Sequence, residues 1–292
     1  MGLRIATNIQ SINAQRNMTA SVEANQQAME RLSSGFRINR AADDAAGLGM
    51  SEKMKADIRG LSMAKRNAND GVSIIQTAEG GLNEVGNILV RLRELSVQAA
   101  SDTVGDQERG FMTKEFSQLQ NEISRISEAT EYNGKKLCNG PTADNDKLLE
   151  IQVGKNHNAD IDRGESPTNV IRLDLRQINI SAGQEGLNLD GEVGVSNKET
   201  AQNSINKLDT AIGRVSENRS TLGALQNRLT STMANLGVAI ENVGAANSRI
   251  RDTDFADETA KMTQSSILKQ SGVAVLAQAN SVPSAALRLL NG

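Results

Sequence analysis

The sequence predicts a mainly α protein: a long antiparallel helical rod of coiled-coil type with a small β-hairpin insert at its tip. Three observations carry this expectation. Apolar residues recur in heptads over tens of residues. Leu61, Ala68, Ile75, Leu82 and Leu89 lie seven apart, with Ala64, Gly71, Ala78, Val85 and Leu92 three beyond each. That spacing lays a continuous apolar seam along one helix face. Aromatic residues make up only 2% of the chain and Trp is absent, so the interior is aliphatic and Ala-rich, as close helix packing requires. The prolines are Pro141, Pro167 and Pro283, and none interrupts the first 140 residues, where helices can run unbroken.

The first helix is expected from about Ile5 to Leu32, with Gly35 suited to a left-handed cap after it. An Arg-rich connector, Phe36 to Ala42, follows. Asp43 or Asp44 then caps a second helix, placing negative charge at its positive end. From Asp44 to Ala100 that helix would be about 85 Å long. A loop over Asp102–Asp106 leads to a third helix carrying Met112, Phe116, Leu119, Ile123 and Ile126, closed by Asn133-Gly134. Composition then shifts. Residues 139–195 are rich in Gly, Asn and Asp, and two alternating runs read as short strands: Leu149, Ile151 and Val153, then Val170, Leu173 and Leu175. Asn156–Thr168 joins them as a loop. Ser196 with Glu199 three residues later reads as a capping box for a fourth helix. Its 3,4 series includes Ile205, Leu208, Ile212, Val215, Leu222, Leu229, Met233, Leu236, Ile240, Val243 and Ile250. Asp252 and Asp254 punctuate before the last helix.

The two ends are unusual. In the last helix Leu268, Val275, Val282 and Leu289 fall in one heptad register, and Gly272, Ala279 and Ala286 in another. The seam thus has one large and one small position, set among Gln, Asn and Ser. Pro283 interrupts it, so a kink or a restarted helix is expected there. At the other end Ile5, Ile9, Ile12, Val22, Met29 and Leu32 are thinly spread among polar residues. Such helices bury too little apolar surface to stand alone in water. The expectation is that the ends pair with each other and then with further copies. The arginines Arg31, Arg37 and Arg40 of the connector read equally as a solvated hinge or as partners of Asp43, Asp44 or a neighbouring copy's carboxylates.

Several functions find no support. The net charge is -3, with no basic patch to suggest nucleic acid. Cys138 and His157 are the single residues of their kinds, so no disulfide or zinc spacing exists and no cofactor is expected. Catalysis is not expected either: there is no Ser–His–Asp set, phosphate loop or paired acids, and Gly80-Gly81 lies inside a helical pattern. No apolar run is long enough to span a membrane. No apolar leader follows Arg4, which by itself points to the cytoplasm.

Four stretches carry a resemblance. They are RLSSGFRINRAADDAAGL from Arg31 to Leu48; Arg66–Gly71 (RNANDG) with Gln76–Gly80 (QTAEG); Leu222–Arg228 (LGALQNR); and Ser248–Ala256 (SRIRDTDFA). Together, and in this order, the chain closely resembles bacterial flagellin over about residues 3–137 and 200–290. The resemblance implies a structural subunit that polymerises into the flagellar filament. It implies an inner D0 domain from the terminal helices with the connector (1–43 and 252–292). A helical D1 rod (44–138 and 196–251) and a small β insert (139–195) follow from it, in a compact form without large outer domains. It places the protein outside the cell, in the flagellum, exported without a cleaved signal peptide. The implied partners are other copies of the chain, the flagellar export apparatus, an export chaperone and the filament cap.

By the same resemblance the seam Leu268, Gly272, Val275, Ala279, Val282, Ala286 and Leu289 makes polymer contacts, as do the apolar residues of the first helix. Leu89–Val97 is similar to the segment that a host innate-immune receptor reads, with Arg91, Leu95 and Glu115 matching. Those residues could equally serve subunit packing. Two alternatives stand beside the filament subunit: a hook–filament junction protein of the same apparatus, and a signalling coiled-coil rod.

Overall fold

The computed structural model describes residues 7–140, 148–156, 168–174, 178–183, 186–189 and 193–290, with side chains in the last helix described through Ser281. Ile5, His157, Leu175 and most of the Asn156–Thr168 loop lie outside the described residues. The elements in order are α1 (Ile9–Ser34), α2 (Ala45–Ala99), α3 (Asp106–Ala129), β1 (Glu131–Tyr132), β2 (Lys135–Lys136), β3 (Leu149–Gln152), β4 (Val170–Leu173), α4 (Lys198–Arg251) and α5 (Phe255–Leu290). The chain divides into two compact units, Met1–Ile58 with Glu241–Gly292, and Arg59–Ile240.

In the Arg59–Ile240 unit the heptads on α2 are the core. Ala64, Ala68, Ile75, Ala78, Leu82, Val85, Leu89 and Leu92 are all buried. Leu208, Val215, Leu222 and Leu229 of α4 and Met112, Phe116 and Ile123 of α3 close on them. α2 and α4 run antiparallel here: Arg93 pairs with Asp209 at 2.6 Å, and Arg219 with Glu79 at 3.8 Å. The small members of the α4 seam, Ala201, Ser204 and Ala211, were not distinguished by periodicity alone. Ile205 and Ile212, expected in the seam, are half-buried at its flank.

The insert holds an antiparallel hairpin, and a second, smaller one precedes it at residues 131–136. β3 pairs with β4 in the register Leu149↔Leu173 to Gln152↔Val170. Gly71 makes room for it, since a Cβ there would sit 2.5 Å from Ile151 Cδ1. The second hairpin corrects the expectation that Asn133-Gly134 only closes α3. Both residues have positive φ, 51° and 77°, and they turn β1 into β2 as a two-residue loop of the type that matches strand twist. Beyond β4, Ile178, Ile180, Leu187, Leu189, Val193 and Val195 are buried without forming strands. Side chains hold their backbone instead: Gln120 donates to the Leu189 carbonyl at 2.8 Å and Arg214 to the Gly186 carbonyl at 2.7 Å.

The entry to α4 differs from expectation. The helix begins after Asn197, and Thr200 Oγ1 accepts from the Asn197 N–H at 3.1 Å. The reach-back is therefore made by Thr200 one residue later, not by Glu199 towards Ser196.

In the unit formed by the two ends, α1 and α5 pack antiparallel. Gly35 ends α1 with φ 74° and donates to the Arg31 carbonyl at 2.8 Å, a conformation that a Cβ would oppose. Asp44 caps α2 through the Gly47 N–H at 2.9 Å, and Asp254 caps α5 through the Ala256 N–H at 2.8 Å. The helix does not end and restart at Pro283: α5 continues as helix through Leu290. Among the described residues, no helix is long and apolar enough to cross a membrane.

Candidate functional site

The terminal helix pair meets along a small and polar seam. From α1 it uses Asn8, Ser11, Ala14, Met18, Asn25 and Ala28; from α5, Glu258, Met262, Ser265, Gly272 and Ala279. Asn25 Nδ2 donates to the Met262 carbonyl at 3.1 Å and to Ser265 Oγ at 3.2 Å. Ser11 Oγ donates to Asn280 Oδ1 at 2.8 Å. Asn8 Nδ2 donates to the Ala279 carbonyl at 2.8 Å. At the other end Arg31 pairs with the buried carboxylate of Glu258 at 3.6 Å. As residue numbers rise on α1 they fall on α5, which is antiparallel register.

This geometry splits the heptad predicted for the last helix. Its small register turns onto α1: Ala279 is buried, and a Cβ on Gly272 would lie 3.6 Å from Met18. The same register extended upstream by sevens reaches Ser265 and Glu258, both buried. That extrapolation was available in the sequence but hidden, because neither residue is apolar. The large register points away from α1, with Leu268 51% and Val275 57% exposed. Ile9, Ile12 and Met29 of α1 are likewise exposed, while Val22 and Leu32 are half-buried. The side chains of Val282, Ala286 and Leu289, like Ile5, lie outside the described residues. The pair therefore holds its polar seam inside and presents much of its aliphatic surface outward. Several large aliphatic side chains left exposed on one helix pair are a candidate interaction surface.

Within the chain, the connector arginines bond backbone carbonyls and glutamates. Arg37 donates from its guanidinium to the Ile250 carbonyl at 2.6 Å, and its backbone N–H donates to the Arg251 carbonyl at 2.6 Å. Arg40 pairs with Glu30 at 3.0 Å. Arg251 stacks over the Phe36 ring, 4.7 Å from its centre, and reaches Glu52 at 2.6 Å. Ile38 of the connector is buried. Asp43 organises the turn itself by accepting the backbone N–H groups of Arg40 and Asn39, and these bonds hold its carboxyl below the ordinary range.

In the other unit, Arg91 bonds Glu115 at 2.8 Å and Glu94 at 3.0 Å on the surface, which raises the Arg91 pKa, chiefly through Glu115. Leu95 is a different kind of residue, 2% exposed and part of the core. Sequence reading overlooked Arg109. Its guanidinium is buried at the C-terminal end of α2 and donates to the Ala99 and Ser101 carbonyls, each at 3.0 Å. It satisfies the last carbonyl of α2, at Ala99, and adds a second donor to the Ser101 carbonyl, which also accepts the Val104 N–H at 3.4 Å. Cys138 is buried, and burial pushes its thiol up to about 12, which leaves no reactive thiolate near neutrality.

Comparison with known proteins agrees with this architecture. Residues 5–143 match the family model of the bacterial flagellin N-terminal helical region, and residues 205–290 that of the bacterial flagellin C-terminal helical region. The chain is similar to the flagellin of Halalkalibacterium halodurans, 47% identical over 97% of this chain and 98% of that one. It is 42% identical to the flagellin of Bacillus subtilis over 99% of this chain and 100% of that one. Among solved structures, Bacillus cereus flagellin is similar over 59% of this chain and 88% of that one, at 29% identity and a TM-score of 0.48. The two curated relatives matched from end to end are both flagellins. The two matched regions place this chain in the bacterial flagellin family, as a structural subunit that polymerises into the flagellar filament.

Proposed function

We propose that the α1·α5 pair is the polymerising element of this subunit. The observation that carries the reading is the outward placement of Ile9, Ile12, Met29, Leu268 and Val275 on a pair whose own seam is small and polar. Helices built this way gain little from each other and much from further copies. By the resemblance, Val282, Leu289 and Ile5 are assigned to the polymer contacts as well, and Ala286 continues the small register of the sequence. On this reading residues 1–43 and 252–292 form D0 with its connector, residues 44–138 and 196–251 form D1, and residues 139–195 form the insert. The chain packs as a terminal and a middle unit, but residues 44–58 and 241–251 fall in the terminal one.

The test replaces both described large-register residues in the full chain, as Leu268→Asn with Val275→Asn. Burying an aliphatic side chain contributes about 1.5–3 kcal/mol. The critical concentration for assembly, read by sedimentation, should rise at least on the order of a hundredfold for the pair. Assembly at the parent's concentration would remove this face from the polymer contacts. Deleting residues 265–292 should likewise abolish filaments while the Arg59–Ile240 unit stays helical.

The resemblance supports the remaining partners: passage through the flagellar export apparatus without a cleaved signal peptide, an export chaperone and the filament cap. For the host innate-immune receptor, the exposed Arg91–Glu115 pair supplies the contact surface. Leu95 contributes by holding α2 in place beneath it. Loss of receptor signalling in Arg91→Ala, at unchanged thermal stability, tests this assignment.

A further inference from the structure

Pro283 stands inside α5, yet the helix does not break there. Proline has no backbone N–H, so the carbonyl four residues earlier loses its donor within the helix. That residue is Ala279, and its carbonyl accepts a 2.8 Å hydrogen bond from Asn8 Nδ2 of the other terminal helix. The same Asn8 side chain caps α1, with Oδ1 accepting the Ser11 N–H at 3.1 Å. A primary amide has both a donor and an acceptor end, and here each end completes a different helix.

We propose that Asn8 is a positioning residue for filament assembly. Its amide takes the place of the N–H that Pro283 lacks, so the last turns of α5 become continuous only when α1 is docked in one register. Sliding the helices by one turn would leave the Ala279 carbonyl without a donor beside a proline. The register is reinforced one turn on by Ser11 and Asn280 at 2.8 Å. A generic apolar seam tolerates such slips, whereas a single missing donor met by a single amide does not. The inference rests on the terminal pair being the polymerising element.

The test separates the two ends of the Asn8 amide. Asn8→Asp keeps the shape and the capping oxygen, and carboxylates are good caps, but it removes the donor and sets a carboxylate against a carbonyl. If Asn8 were only a cap, this variant would assemble as well as the parent. We expect its critical concentration to rise on the order of tenfold. Pro283→Ala restores a backbone N–H to the Ala279 carbonyl, so in that background the cost of Asn8→Asp should shrink to about twofold or less. Hydrogen exchange on full-length Asn8→Asp filaments gives a second readout, independent of whether Pro283→Ala assembles. Exchange should quicken across residues 276–290 and stay unchanged in 205–229. Parent-like assembly of Asn8→Asp, an equal penalty in both backgrounds, or unaltered exchange near Pro283 overturns the proposal. Parent-like assembly of Asn8→Asp beside failure of the Leu268/Val275 double variant would overturn the proposal while leaving the polymerising face intact.

Discussion

Gly272 lies directly against Met18: a Cβ on the glycine would sit 3.6 Å from the Cβ and Cγ of Met18, in ordinary van der Waals contact. One methyl group fits there and a larger side chain does not. Gly272→Ala should therefore assemble at least as well as the parent, since alanine favours helix by about 1 kcal/mol over glycine. Gly272→Leu and Ala279→Leu should wedge α1 from α5, with overpacking costs of about 1–3 kcal/mol each. Gln278→Leu, on the exposed side, should be milder. Critical concentrations by sedimentation order the four variants. An Ala279→Leu protein that assembles like the parent would show that this position is not tightly packed.

Arg109 should govern the corner between α2 and α3. Its side chain bonds two helix-end carbonyls and Asp106. Arg109→Met leaves the buried Ala99 carbonyl without that donor, while the Ser101 carbonyl keeps the Val104 N–H; the unmet group costs about 1–3 kcal/mol. Its thermal midpoint should fall by several degrees. Asp106→Asn should change little, because that carboxylate is exposed. Equal midpoints for Arg109→Met and the parent would remove the corner from the stability argument.

The receptor-matching residues should separate by readout. Leu95→Ala opens a cavity in the core and should destabilise the unit by about 2–5 kcal/mol in urea unfolding. Arg91→Ala and Glu115→Ala remove one exposed ion pair and should leave unfolding nearly unchanged.

Cys138 ties stability to alkaline pH. The unfolded thiol ionises near its ordinary 9.0, while the buried one holds its proton to about 12. Between those values the unfolded chain has lost a proton that the folded chain keeps, so stability is full below pH 9 and falls as pH rises. The slope contribution approaches about 1.4 kcal/mol per pH unit. Urea unfolding from about pH 8 to 11 should be steeper in the parent than in Cys138→Ala by that amount. Parallel slopes would mean the thiol is not buried in solution.

Exchange in the dilute monomer should follow packing. α1 and α5 share a small, polar seam and should exchange quickly, while residues 60–100 and 205–240 around the aliphatic core should be slow. Uniform protection along the monomer would show that the terminal pair is stable without other copies.

Periodicity made the α2 seam legible in the sequence. From Ala64 to Leu92 every residue in two heptad registers is apolar or glycine, and a helix buries whatever one face repeats. The strand around Ile151 was legible as a short alternating run; β4, at Val170–Leu173, was legible through Val170 and Leu173, but it is buried along its length rather than alternating. The left-handed end at Gly35 and the Asp44 cap followed from local chemistry. The family was carried by four long motifs.

The ends were decided only by tertiary structure. Leu268 and Gly272 lie four residues apart on one helix, and spacing alone cannot say which meets α1; the answer depends on what α1 offers, and α1 offers Met18, Asn25 and Asn8. Ser265 and Glu258 belong to the buried register although neither is apolar: beside partners on their own helix, each meets a group of α1, Asn25 and Arg31, more than two hundred residues away in the chain. Pro283 shows the same limit most plainly. A proline in a helix locally predicts a break, since its missing N–H strands the carbonyl of Ala279. Whether that carbonyl stays stranded depends on a donor from the other end of the chain, and only the pairing of α1 with α5 brings Asn8 to it.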